Sequence, residues 1–256
     1  MITIKSPREI ETMGVAGAIV ARTLVLVDNK AVPGVSTGEL DRIAEDFIRS
    51  HDRAFPSFKG LYDFPKSLCT SVNCEVVHGI PSDKRVLREG DILSVDCGVC
   101  VDGLHADSAA TLAVGEISDD ATDLLRVTKE ALVAGLAMVR EGNHVGDIGH
   151  AVQQVAEAAG YSVVRELVGH GIGTTFHEEP QIPNFGKPKR GPRLATGMTL
   201  AIEPMINAGG AEIKTLADKW TVVTKDLSLS AHFEHTVVVE QNGSRILTQL
   251  AVGAPA

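Results

Sequence analysis

Aromatic side chains are scarce in this chain: seven Phe, two Tyr and one Trp make 4% of 256 residues. Cysteine is scarcer. Four thiols in a chain of this length, with no secretory h-region in Met1-Ile2-Thr3-Ile4-Lys5-Ser6-Pro7, do not make a disulfide framework. Also absent is any run of about 18 consecutive apolar residues of the kind that spans a bilayer. A basic excess is missing too. Lys and Arg number 24 against 33 Asp and Glu, a net charge of −9, which argues against nucleic acid as a partner because phosphate binding rewards basic surface. What is there is 44% hydrophobic residues, enough for a large core. The expectation is a cytoplasmic protein with reduced thiols and neither a membrane nor a nucleic-acid partner.

Periodicity is plentiful. From Ser36, read as a capping box with Glu39, apolar residues fall at Leu40, Ile43, Ala44, Phe47 and Ile48, the stripe of a helix with one buried face. A shift of 108 residues places Gly34 and Gly38 on Gly142 and Gly146, and the stripe on Ile148, Ala151, Val152, Val155 and Ala156. The preceding helix repeats as well, Ala16, Ile19, Val20 and Leu24 against Leu124, Val127, Thr128 and Leu132, and apolar β-rich runs follow each pair. Two copies are too few for a solenoid. The prediction is an α+β fold, one unit over 1–256 with pseudo-twofold halves of roughly 1–115 and 116–256, strands of both halves in one sheet and helices covering the outside. The Gly- and Pro-rich stretch from Pro180 to Gly197 is expected to be a long surface loop bordering a site.

The runs 91–100 and 104–114 flank Asp102-Gly103, a strong hairpin signal. With Asp102 and Gly103 as the loop, Asp107 faces Gly98, and Asp96 is its diagonal neighbour on the same face, about 7 to 8 Å away at the backbone. Two carboxylates on a random strand pair are ordinarily solvated. Here Ile92, Val95, Val99 and Val101 bury both faces, and two like charges buried together cost several kcal/mol unless neutralised. A shared cation is the cheaper explanation.

Three more polar residues interrupt apolar runs: His170 in Gly169-His170-Gly171, Glu203 in Ile202-Glu203-Pro204, and Glu234 in Phe233-Glu234-His235. Singly, each fits a hydrogen-bonded turn or a strand-end ion pair. Together, four carboxylates and one neutral histidine carry a formal −4 that two divalent ions cancel, and the oxygen-rich, sulfur-free donor set suits Mn, Fe, Co or Zn. A four-thiolate zinc site from Cys69, Cys74, Cys97 and Cys100 is disfavoured, since Cys97 and Cys100 point to opposite sides of a straight strand.

The ordered blocks His78-Gly79-Ile80-Pro81, Asp96 with Asp107, Gly169-His170-Gly171-Ile172-Gly173 with Phe176-His177-Glu178-Glu179-Pro180, Ile202-Glu203-Pro204-Met205, and Phe233-Glu234-His235-Thr236-Val237 resemble the type I methionine aminopeptidases, over Ser6 to Val239. The resemblance implies the pita-bread (creatinase/aminopeptidase) fold, a curved antiparallel-rich sheet under outer helices, in agreement with the repeat. It implies two divalent ions, with Asp96 and Asp107 on one, Asp107 and Glu234 bridging, and His170 and Glu203 completing the second. His78, His177 and Glu203 become catalytic, and Phe58, Leu61, Phe64, Cys69, His78, Phe176, His177 and Trp220 bind the substrate. Departures from the family pattern are Cys74 where Glu is usual, His232 where Gln is common, and Phe58, Leu61 and Phe64 where tyrosines or a cysteine are frequent.

The activity so implied is removal of the N-terminal methionine from nascent polypeptides when the second residue is small, by attack of a hydroxide bridging the two metals on the scissile carbonyl. Expected partners are nascent N-termini, with transient proximity to the ribosome; the expected state is a monomer that begins at the catalytic unit, without the amino-terminal extension of some relatives. Two rivals are an Xaa-Pro peptidase of the same fold, separable by Met-Ala against Ala-Pro peptides, and a metal-free binding protein, which would need lost ligands.

Overall fold

The computed structural model describes residues 2–250; Met1 and residues 251–256, the ends of the expected 1–256 unit, lie outside the described residues. In the first half α1 (Pro7–Asp28) and α2 (Thr37–Arg49) precede β1 (Ala54–Pro56), β2 (Leu68–Val72), β3 (Glu75–Val77), β4 (Ile92–Val101) and β5 (Leu104–Ala113). In the second, α3 (Asp119–Ala137) and α4 (Val145–Ala158) precede β6 (Ser162–Val163), β7 (Val168–Gly171), β8 (Glu178–Pro183), β9 (Thr199–Ile202), β10 (Met205–Asn207), β11 (Ile213–Thr215), β12 (Val222–Thr224), β13 (Ser230–His232), β14 (His235–Glu240) and β15 (Gly243–Ile246).

The 108-residue offset holds at the second helix of each half, whereas the first helices, α1 and α3, start 112 residues apart. Helices α2 and α4 start at equivalent positions, each after a glycine in the left-handed region, Gly34 (φ 96°) and Gly142 (φ 90°). The reciprocal capping box lies at Ser6 and Glu9, with Pro7 in the first turn, whereas at α2 the Ser36 hydroxyl accepts the Glu39 N–H at 3.1 Å. That N-terminal contact, worth about 1 kcal/mol, is the half of the expected box that forms. Leu40, Ile48, Leu124 and Ile148 from the predicted stripes are fully buried, each stabilising by about 1.5–3 kcal/mol.

Every strand pair among the described residues is antiparallel, but hydrogen bonding divides the strands into four sheets rather than the expected one: β1-β4-β2 with β5 on β4, β13-β10-β6, β11-β12-β3, and β15-β14-β9-β7-β8. Twist and the strand breaks at Glu203 and Glu234 interrupt the ladders. Continuity between the halves comes from Glu234 N–H donating to Ala109 O at 2.9 Å, and from the Thr236 hydroxyl, which accepts from Asp107 N and donates to Asp107 O. Apolar clusters lie under α1 and α2 and under α3 and α4, and a third, including Met13, Phe58, Phe64, Ile172 and Phe176, fills the space between them.

Helix α1 is long and apolar enough to cross a membrane by length and composition, although Arg8, Glu9, Glu11 and Arg22 keep it from forming one uninterrupted apolar run. Here the helix is a core element, burying Met13, Ala16, Ile19, Val20 and Val27. The stretch from Pro180 also departs from expectation. Residues up to Pro183 belong to β8, and the loop beyond packs its carbonyls on α4, where Cβ atoms at Gly146 and Gly149 would collide with Arg190 O and Phe185 O. None of its residues beyond Pro183 lines the cavity described next, and its one bond to that region among the described residues is Asn184 Nδ2 donating to Glu203 O at 2.9 Å.

Candidate metal centre and peptide pocket

Asp102 (φ 50°) and Gly103 (φ 80°) form a two-residue turn, with both positions in the left-handed region that a type I′ turn requires. It sets the register that pairs Gly98 with Asp107 and Asp96 with Ala109, so both carboxylates share a face. His170 comes from β7. Glu203 follows β9, and Glu234 precedes β14. The register on either side, Ile202 with His235 and Met205 with His232, leaves Glu203 opposite Glu234 at the point where both strands pass from one sheet to another.

These five side chains open on one cavity of about 270 Å³, and no lysine or arginine is among its lining residues. One oxygen each of Asp107 and Glu234 and one nitrogen of His170 lie within 4.8 Å of one another. His170 Nε2 is 3.6 Å from Glu203 Oε1. His170 Nδ1 is 2.8 Å from Gly171 O; a carbonyl only accepts, so Nδ1 carries the hydrogen and Nε2 turns a lone pair toward a carboxylate. Lone pair against carboxylate is stable with a cation between.

The electrostatics agree. Asp96 Oδ1, Asp107 Oδ1 and Glu234 Oε1 are buried without a hydrogen-bond partner. Burial drives Asp107, Glu203 and Glu234 well above the usual carboxylate range, with added repulsion on Asp107 from Glu234 and Asp96, and on Glu203 from Asp107 and Asp96. Burial also raises Asp96. His170 is held down at about 3 by burial, with the charge of His177 as a lesser cause, so it is a neutral nitrogen donor. Cys69 also reaches the cavity, but burial and then Asp96 and Asp107 push its thiol up, which keeps it a thiol rather than a thiolate ligand. Orphaned oxygens, a bare imidazole nitrogen and no internal cation fit divalent metal ions.

His78 and His177 stand on either side. His78 has φ 60°, an unfavourable region for a non-glycine residue, held by Thr70 N–H to Gly79 O at 2.8 Å and Gly79 N–H to Ser71 Oγ at 3.1 Å. Burial, and then the charge of His177, lower it to about 4. The apolar end of the cavity is built from Phe58, Leu61, Phe64, Cys69, Phe176 and Trp220. Phe58 packs edge-on against Phe64 and Phe176, and Phe64 against Trp220 at 5.0 Å.

The sequence reading missed Tyr62, Val77, Glu166, Leu167, Val168, Met205 and the cavity role of His232. Tyr62 stacks on His177 with ring centroids 5.7 Å apart and 12° between planes, its hydroxyl 3.3 Å from His177 Nδ1. It sits in the short 3-10 turn Leu61–Asp63 with φ 49°, in the left-handed region, and no motif marks it. His232 was visible as a departure from the family pattern. It is buried, with Nε2 unpartnered and 3.9 Å from Glu203 Oε2.

The profile of metallopeptidase family M24 matches residues 11–241. Among curated proteins, the methionine aminopeptidase of Clostridium acetobutylicum is 54% identical over 248 residues, covering 97% of this chain and 99% of that one. Methionine aminopeptidase 1 of Bacillus subtilis is 53% identical over 250 residues, covering 98% of this chain and 100% of that one. The crystal structure of methionine aminopeptidase from Thermotoga maritima superposes with a TM-score of 0.96 at 44% identity, covering 98% of this chain and all of that one.

Proposed function

The chain belongs to metallopeptidase family M24, and on that premise we propose that it is a methionine aminopeptidase, removing the N-terminal methionine from newly made chains whose second residue is small. The observation that carries the reading is the juxtaposition of a buried, uncompensated carboxylate cluster with an aromatic slot in one cavity. Asp96, Asp107, His170, Glu203 and Glu234 would hold two divalent ions, drawn from Co, Mn, Fe and Zn. When bound, such ions acidify a water toward hydroxide near neutral pH and polarise the peptide carbonyl.

The protein's own groups do the rest. The Glu203 carboxylate takes the proton of the attacking water and passes it toward the leaving nitrogen. His177, with Nδ1 beside the Tyr62 hydroxyl, offers Nε2 to the scissile amide. His78, on the Trp220 side of the cavity, steadies the leaving residue. Phe58, Leu61, Phe64, Cys69, Phe176 and Trp220 receive the methionine thioether, which packs well against rings, and the acidic cluster accepts the free α-amine. A blocked amine has no such anchor. In the same reading the chain acts as one catalytic unit and a monomer, in the cytoplasm and near the ribosome, with no membrane or nucleic-acid partner.

The test is release of free methionine from Met-Ala-Ser by metal-reconstituted protein, with N-acetyl-Met-Ala-Ser and Ala-Pro intact. Cleavage of the acetylated peptide at a similar rate, or of Ala-Pro in preference, contradicts it.

A further inference from the structure

Lysine leaves water only for a partner, and Lys5 is the one buried lysine or arginine among the described residues. Its Nζ donates to Glu178 and to the Thr3 hydroxyl, which in turn donates to Glu178. The side chains of Lys5 and Glu178 are 5% and 8% exposed. The Lys5 main-chain N–H is fixed on Gly197 O at 2.8 Å, and Gly197 N–H on Val239 O at 3.0 Å, which ties this amino-terminal strap to β14.

Glu178 directly follows His177 and opens β8, where it pairs with Gly171. Its Oε1 accepts the Thr175 N–H at 3.2 Å, closing the turn that carries Phe176 and His177. A Cβ at Gly173 would lie 2.6 Å from both Glu178 Oε1 and Lys5 Nζ, so lysine and turn pack with no room between them. Without Lys5 the buried Glu178 carboxylate loses its counter-charge and is drawn toward water, and the residue before it moves too.

We infer that Lys5 is a positioning residue that fixes Glu178 so that the turn presents the His177 ring to the scissile amide, which makes the strap Thr3–Lys5 part of the active site. The inference rests on the role of His177 proposed above. Displacement of a reacting group by about 1 Å costs on the order of a hundredfold in rate.

A double-mutant cycle tests it. Lys5→Met lowers kcat on Met-Ala-Ser about tenfold or more, with KM and bound metal unchanged, and Lys5→Arg recovers most of the loss. Combined with His177→Ala, Lys5→Met costs less than about twofold further, because the group it positions is gone. Equal loss in both backgrounds marks a merely structural role and overturns the inference, as does wild-type kcat in Lys5→Met. Should Lys5→Met fail to fold, Glu178→Gln, which keeps the bond to Thr175, passes through the same cycle with the same criteria. Wild-type kcat in His177→Ala alone would instead overturn the role of His177, and the strap's role with it.

Discussion

Gly98 stands opposite Asp107 across the β4–β5 hairpin, and the space its missing side chain leaves is taken by the pocket wall: a Cβ there would lie 2.9 Å from Phe176 Cε2 and 3.1 Å from Phe58 Cε1. One ladder position therefore joins the carboxylate cluster to the aromatic slot. Gly98→Ala should lower kcat/KM for methionyl peptides by about tenfold or more, chiefly through KM, and cost about 1–3 kcal/mol from overpacking. Metal content, measured alongside the kinetics, should stay at the wild-type value, because the backbone pair that aims Asp107 is kept.

Asp107→Asn should separate function from stability. The variant loses bound metal and about a hundredfold or more in kcat/KM, since a cluster ligand is gone. Its metal-free form should nevertheless melt above metal-free wild type, because one buried like charge pressed by Glu234 and Asp96 has been removed. Calorimetry on both proteins in chelator reads the sign directly, and a lower Tm for the variant would contradict the account.

His177→Ala should keep its metal and lose about 10²- to 10⁴-fold in kcat/KM, the range of a positioned acid–base or hydrogen-bonding group. Loss of stoichiometric metal from this variant would make His177 a ligand instead.

Selectivity follows from the slot. Met-Ala-Ser should be cleaved strongly, Leu-Ala-Ser weakly and Val-Ala-Ser not at all, because branching at Cβ does not fit between Phe58, Phe176 and Trp220. Leucine is the closest competitor, as apolar pockets separate methylene-sized differences by only about 1–3 kcal/mol. The preference for a small second residue is assigned to His78, His177 and Tyr62, because no residue of the loop beyond Pro183 is among those lining the cavity. Equal kcat/KM for the methionyl and leucyl peptides would remove the slot's role.

The wall that carries Phe58 and Phe64 is anchored on α2 by Glu45, which accepts from Lys59, Arg49 and Ser67. Burial opposes ionisation of Glu45, but these three donors outweigh it and hold the carboxyl down at about 2. A folded pKa below the unfolded one gives stability that is present above about pH 4.5 and lost as pH falls toward 2. Glu45→Gln should therefore destabilise at pH 7 and converge on wild type near pH 2, in denaturant titrations at the two pH values.

The sequence carried the hairpin register because Asp102-Gly103 is local turn chemistry, and it carried the helix pairs because their stripes repeat at 3.6-residue spacing. Convergence of His170, Glu203 and Glu234 depends on long-range strand pairing, which no local pattern encodes; there the ordered motifs supplied what periodicity did not. Tyr62 escaped because it sits in a short left-handed turn that no motif marks. Lys5 escaped because a lysine near a chain start is ordinarily solvated, and only the packing of Gly173 shows otherwise. The division into several sheets was not drawn from the sequence although Glu203 and Glu234 visibly interrupt their apolar runs, because which strand pairs with which across those breaks is long-range information.

The most direct measurement is calorimetric titration of the chelator-stripped protein with Mn(II), with Met-Ala-Ser hydrolysis followed at each addition. Two ions should bind per chain, activity should be absent without them and return with them, and Asp107→Asn should bind fewer than two. Undiminished hydrolysis by the stripped protein, or full metal binding by Asp107→Asn, would contradict a carboxylate-held metal centre as the source of the activity.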